Sequence, residues 1–247
     1  MRKLIRLFII LFALLISFSA VADTLDELLV QRDTLLTQLS AVNEQIAQIN
    51  KTSSPEGSLG KICDVFPDEV MALTVRDACG KFSIQQEVTA EELANVKSLE
   101  PAAGQKITNL MGIGYLTGLT SIRLDWYRGE FEEFPDEMKN CKKLMFIDVQ
   151  STGLKRLPDW IGDLTELYRL NISGNEIDYL PDSLCSLVKL GDLNIRSNKS
   201  ITKLPENIGN LVSLKELDIS YTGITTLPDS IYALDFRELK MEGLPIK

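Results

Sequence analysis

The chain has 247 residues, 45% hydrophobic and 25% charged, the balance of one sizeable folded domain with appendages rather than of a disordered polymer. Its 35 acidic residues outnumber 26 Lys and Arg, and the net charge of −9 argues against nucleic acid or anionic lipid as a partner. It contains no histidine, which removes imidazole triads, His-ligated metals and the usual physiological pH switch.

The first predicted element is a targeting segment. In "MRKLIRLFIILFALLISFSAVA", Arg2, Lys3 and Arg6 precede an apolar run from Leu7 to Phe18, which closes on Ala20-Val21-Ala22. That order predicts a secretory signal peptide over residues 1–22, cleaved after Ala22, and hence a secreted or periplasmic protein. An uncleaved anchor is the alternative, but the run is shorter than the roughly 20 residues a span needs. No cysteine follows the run and no second apolar stretch suggests membrane insertion. After cleavage, 23 basic residues would face 35 acidic ones, a net of −12. The four cysteines would then meet an oxidising compartment.

Residues 23–50 carry a seven-residue apolar period. Leu25, Arg32, Leu39 and Ile46 form one column, and Leu28, Leu35, Val42 and Ile49 the other. Uninterrupted by Gly or Pro, they predict an amphipathic helix that assembles as a coiled coil and makes the protein a homo-oligomer through residues 24–50. The alternative is a helix that folds back on the main domain, or frays. Residues 51–61, "KTSSPEGSLGK", read as a linker. In residues 62–100 two helices are expected, one between Asp68 and Cys79 and one within "VTAEELANV". The second starts with Thr89 as N-cap and Glu92 three residues on, a capping box.

From residue 101 onward a repeat dominates. Segments beginning at Leu119, Leu144, Leu167, Leu190, Leu214 and Phe236 share one apolar rhythm, with starts 25, 23, 23, 24 and 22 residues apart. Such a period means a solenoid. Positions 4 and 6 of each segment are the two inward residues of a minimal strand. A further apolar residue about five later marks the next wall, and "LP" opens a short helical return. Isolated coils have no interior, so leucines of adjacent coils must bury one another. Asn175 and Asn198 fall where the chain leaves the strand, and an amide there can serve buried backbone groups. Thr152 and Thr222 hold the same place less well, and Tyr127 does not match it. Asp136, Asp159, Asp182, Glu206 and Asp229 follow the proline of each return. A carboxylate there complements free backbone N–H groups, so much of the acidity is structural.

With "LYRLNISGNEIDYLPDSLCSL" and its near-copies, the chain resembles the leucine-rich repeat family, in the Leu-Pro subtype of secreted bacterial members. Residues 66–122 are also similar to the N-terminal cap and first repeat of internalin-like proteins. The resemblance implies an α/β solenoid with a horseshoe course, a parallel concave sheet, an N-terminal helical cap and no cofactor. Pro101 departs from it by taking an inward strand position, tolerable only at a sheet edge. The final "GLPIK" lacks a recognisable polar cap.

A ligand footprint is expected on the outward positions of the concave sheet, where aromatic residues and arginines dominate binding energy. The candidates are Trp126, Phe146, Tyr168, Arg169, Asn171, Asp192, Asn194, Arg196, Glu216, Asp218 and Tyr221. The same residues can equally be ordinary solvated ladder positions. No catalytic or metal site is expected, and an enzyme is disfavoured. In an exported protein a disulfide between Cys63 and Cys79 would pin the cap, whereas Cys141 and Cys185 are expected as free thiols. Three glycosylation-type triplets, at Asn50, Asn171 and Asn198, are discounted, since Asn171 lies in a strand and the cap looks bacterial. The expected role is an exported binding protein that recognises a protein, or a glycan, on the concave face. The alternative is a scaffold of a cell-envelope assembly joined by the coiled coil.

Overall fold

The computed structural model describes residues 31–32, 34–35, 37–38, 56–124 and 129–244. The chain divides into two compact units, residues 1–54 and 55–247. In the first, the described residues Gln31, Arg32, Thr34, Leu35, Thr37 and Gln38 are helical, with Leu35 half-buried and Arg32 exposed. The predicted signal peptide and the rest of the predicted coiled coil lie outside the described residues. No helix among the described residues is long and apolar enough to cross a membrane.

The second unit begins with strand β1 (Ser58–Lys61), helices α1 (Ile62–Val65) and α2 (Glu69–Ala78), strand β2 (Glu87–Thr89) and helix α3 (Ala90–Ala94). The antiparallel pairing of β1 with β2 corrects the linker expected over 51–61. Its final residues alternate between half-buried and exposed as a strand, a pattern that the Gly and Ser content masks. Both expected helices form, the first between Asp68 and Cys79 and the second at its expected Thr89 cap. Asp68 Oδ1 accepts the Met71 N–H at 2.9 Å, fixing the start of α2. The same side chain reaches forward: its Oδ2 accepts the Thr108 N–H at 2.7 Å, the Thr108 hydroxyl at 2.8 Å and the Asn109 N–H at 3.1 Å. One buried carboxylate thus ties the helical segment to the first coil. At α3 the capping box is complete, with Glu92 N–H to Thr89 Oγ1 at 3.2 Å and Thr89 N–H to Glu92 Oε2 at 3.0 Å.

The main sheet follows: β3 (Ser98–Leu99), β4 (Ser121–Arg123), β5 (Phe146–Asp148), β6 (Arg169–Asn171), β7 (Asp192–Asn194), β8 (Glu216–Asp218) and β9 (Glu238–Lys240). These seven strands pair in chain order, every neighbour parallel. The register is that of the repeat: Ile122, Ile147, Leu170, Leu193, Leu217 and Leu239 align across the sheet. At about 4.8 Å per step the sheet is about 30 Å long. Pro101 is buried just past β3, which is the edge strand its missing N–H requires.

Leu170, Ile172, Leu193 and Ile195 are fully buried, as are Leu164, Leu167, Ile177 and Leu184 on the other walls of their coils. Each fully buried Leu or Ile contributes about 1.5–3 kcal/mol of transfer free energy, and one core runs from Ile62 to Ile231. The returns are 3₁₀ helices, as at Asp159–Asp163 and Asp182–Ser186, entered from Pro158 and Pro181. In one coil the turn starts only at Ile208, so Glu206 stands outside it. Gly162 and Gly209 let the returns stack, because a Cβ at either would lie 2.3 Å from a carbonyl of the next coil.

Candidate functional site

The sheet ends on a shared turn. Ser151, Gly174, Ser197, Tyr221 and Gly243 occupy position 8 of successive coils, and all have positive φ, between 56° and 67°. This left-handed turn aims position 9 inward. Asn175, at that place, is 6% exposed. Its Oδ1 accepts the N–H groups of Thr152, Gly153 and Leu154 of the preceding coil, each at 3.0 Å. Its Nδ2 donates to Val149 O and Ile172 O, both at 2.9 Å. Asn198 repeats the pattern, donating to Ile172 O at 3.0 Å and Ile195 O at 2.9 Å and accepting from Ile177 N at 3.1 Å. Thr222 reaches only Ile219 O of its own coil, at 2.8 Å.

On the open face of the sheet three arginines form cross-coil ion pairs. Arg169 Nε lies 3.2 Å from Asp192 Oδ2. Arg196 lies 3.9 Å from Asp218 and 3.5 Å from Glu242, and Arg237 pairs with Glu216. Partial burial pushes the Asp192 carboxyl above its ordinary pKa, against the pull of Arg169, Lys240 and Arg237 and with the push of Asp148.

Two aromatic groups stand out from this neutralised ladder. Phe146 and Tyr168 meet edge to face, centroids 6.2 Å apart, and are 41% and 52% exposed. The Tyr168 ring lies against Gly191 of the next coil, where a Cβ would come within 2.8 Å of it. At the other margin Tyr221 is 44% exposed, lies against Gly243, and carries the Arg196 guanidinium 4.6 Å from its ring centroid. A bulky residue at φ 56° is strained, and the aligned coils carry only Ser or Gly at the described positions.

Of the expected footprint, Phe146, Tyr168, Arg169, Asp192, Asn194, Arg196, Glu216, Asp218 and Tyr221 lie on or beside this face. Trp126 lies outside the described residues. Asn171 corrects the expectation that it faces a ligand: it is 5% exposed, donates to Asp148 Oδ1 at 3.1 Å and accepts from the Ser173 hydroxyl at 2.8 Å. Its amide is consumed within the sheet. The apolar rhythm gives no sign of the left-handed position 8, whose signal is the recurrence of Ser and Gly there in four of the five described coils.

The cysteines also need a correction. Cys63 and Cys79 are free thiols and not a disulfide. Cys63 turns toward Asp64 Oδ1 at 3.7 Å, while Cys79, just after α2, faces Glu92 O at 3.9 Å. Cys141 and Cys185 are free, as expected. Burial, reinforced by Glu137, pushes the Cys141 thiol up to about 12. Burial and Asp182 push Cys185 to about 11. Both stay protonated at neutral pH, the state of inert core thiols. Asn171 and Asn198 are too buried to accept a glycan, and Asn50 lies outside the described residues.

Parallel strands in register, inward leucines and bridging asparagines at two of the turns define a leucine-rich repeat solenoid. The family model "Leucine Rich Repeat" matches residues 166–187 and 213–234, and the chain is a leucine-rich repeat solenoid of internalin-like fold. Internalin C2 of Listeria monocytogenes superposes with a TM-score of 0.62 at 21% identity, over 79% of this chain and 92% of that one. A leucine-rich repeat protein of Leptospira interrogans gives 0.59 at 30% identity, over 64% of this chain and 40% of that one. The plant peptide hormone receptor RGFR1 in complex with RGF2 gives 0.55 at 26% identity, over 64% of this chain and 26% of its own length. The chain therefore spans less than half of the latter two. No curated protein matches the chain by sequence.

Proposed function

We propose that the chain is an exported binding protein that holds a protein partner on the open, concave face of its sheet and performs no catalysis. The observation that carries this reading is the exposed Phe146–Tyr168 pair, seated on Gly191 beside a charge-paired ladder. Large aromatic side chains held rigid before binding cost little entropy to bury. The likeness to a receptor solved with its peptide hormone supports a proteinaceous ligand. Residues 1–22 direct export and are removed after Ala22, and residues 24–50 join copies of the chain through their heptads.

The test is capture of partners from envelope and host-cell extracts by the full chain and by a Phe146→Ala, Tyr168→Ala, Arg169→Ala triple variant, both checked for folding. Loss of a captured protein in the variant supports the reading, and an unchanged set of proteins removes it. N-terminal sequencing of exported material reports the cleavage. Solution mass with and without residues 23–50 reports the assembly.

A further inference from the structure

We infer that the partner segment is an extended, largely uncharged peptide that spans the sheet diagonally and is held by two large apolar side chains, one on Phe146–Tyr168 and one on Tyr221. The inference rests on the proposed use of this face and specifies what the face takes.

Three observations lead to it. The first is the strain at Tyr221. At the equivalent turn Ser151 and Ser197 serve the backbone, and Gly174 serves it without strain. A tyrosine there sets a bulky side chain on left-handed backbone, and its ring stays 44% exposed. An outlier of this kind is kept where the side chain has a task outside the fold.

The second is the seating of both anchors. Tyr168 and Tyr221 each lie across a glycine of the following coil, Gly191 and Gly243. Phe146 fixes the first ring from one side, and the Arg196 guanidinium covers the second. Each ring is packed against neighbouring groups on one side, and each leaves area uncovered.

The third is charge. Arg169, Arg196 and Arg237 are each within 4.0 Å of a carboxylate of a neighbouring coil. A charged ligand gains little from groups already neutralised, so the complementary segment is an uncharged one carrying apolar anchors.

The repeat fixes the spacing. Tyr168 holds position 2 of its coil, before the strand, and Tyr221 holds position 8, after the strand, two coils further on. Six residues along the strand direction and two sheet steps give a diagonal of about 20 Å, or about six to eight residues of extended chain.

The test pans a displayed library of linear peptides, about 12 residues long to cover that diagonal, against the full chain and two variants. Tyr168→Lys and Tyr221→Ser install residues that this chain carries at the same coil positions, Lys215 and Ser151, so the fold is retained. Thermal melts verify it. The expected result is enrichment of peptides with two large apolar residues about six to eight positions apart. Their capture drops about tenfold with either variant, the usual weight of an interface anchor, and changes less than about threefold as salt is raised through the screening range. Peptides with one anchor, or charged peptides released by salt, overturn the inference while leaving the face as a binding site. Enriched peptides indifferent to both variants and to the Phe146, Tyr168, Arg169 triple change overturn the inference and the proposed function together. A library that enriches nothing overturns the extended-peptide partner and leaves a folded protein partner standing.

Discussion

The turn that carries Asn175 and the turn that carries Thr222 follow the same backbone course and solve it with different chemistry. Both leave a strand through a left-handed residue, Gly174 in one and Tyr221 in the other. Asn175 then joins three N–H groups of the coil before it to carbonyls of both coils. Thr222 bonds only within its own coil. An amide has the reach to bridge a sheet spacing and both polarities to use there, whereas a hydroxyl is too short. The polar interior is therefore strongest where asparagine occurs and thins toward β9, where Leu239 and Met241 are partly exposed.

The comparison breaks first at Asn175. Asn175→Ala strands several buried N–H and C=O groups and should cost about 3 kcal/mol or more. Thr222→Ala should cost about 1 kcal/mol. Urea unfolding of both variants checks the ranking, and equal losses would mean that the amide bridges carry no special weight. Asn198→Thr turns an interior coil into a copy of the Thr222 turn. It should lose about 2 kcal/mol, because the buried Ile177 N–H loses its acceptor and Ile172 O keeps only the Asn175 amide. A smaller effect of opposite sign is expected at Tyr221. Tyr221→Gly relieves a strained residue and should raise stability by about 0.5–1 kcal/mol, while weakening partner capture. A thermal melt paired with a binding assay separates the two.

The smallest effect lies outside the repeat and is one of pH. Partial burial disfavours the Glu92 carboxylate, but Lys81 Nζ at 2.5 Å and the Thr89 N–H and hydroxyl outweigh it, so its pKa sits below the ordinary carboxylate value. A depressed carboxylate stabilises the fold above its unfolded pKa and ceases to do so as pH falls through its folded one. Stability should therefore decline slightly in acid. Glu92→Gln should flatten that decline, measured by denaturant midpoints across the acid range.

Much of this was legible in the residues. The period, the inward pairs at positions 4 and 6, the capping box at Thr89 and the bridging asparagines all follow from side-chain chemistry acting over short spans. What stayed hidden depends on distance or on competition. Nothing in the spacing of Cys63 and Cys79 tells which way either sulfur turns. Ser58 to Lys61 reads as linker because a strand of Gly and Ser is stabilised by its partner and not by its own composition. Asn171 reads as a ligand contact because alternation puts it outward, yet Asp148 and Ser173 claim its amide first.

The asparagine bridges also have a direction. Each amide oxygen answers donors of the coil that precedes it, as Asn175 does for residues 152–154 and Asn198 does for Ile177. A coil is thus finished by its successor. Peeling coils from the C-terminal side would bare main-chain donors and carbonyls of the turn one layer at a time, whereas peeling from the opposite side leaves only the asparagine's own side chain short of partners. The stack has a grain, and mechanical pulling on its two ends should not meet equal resistance.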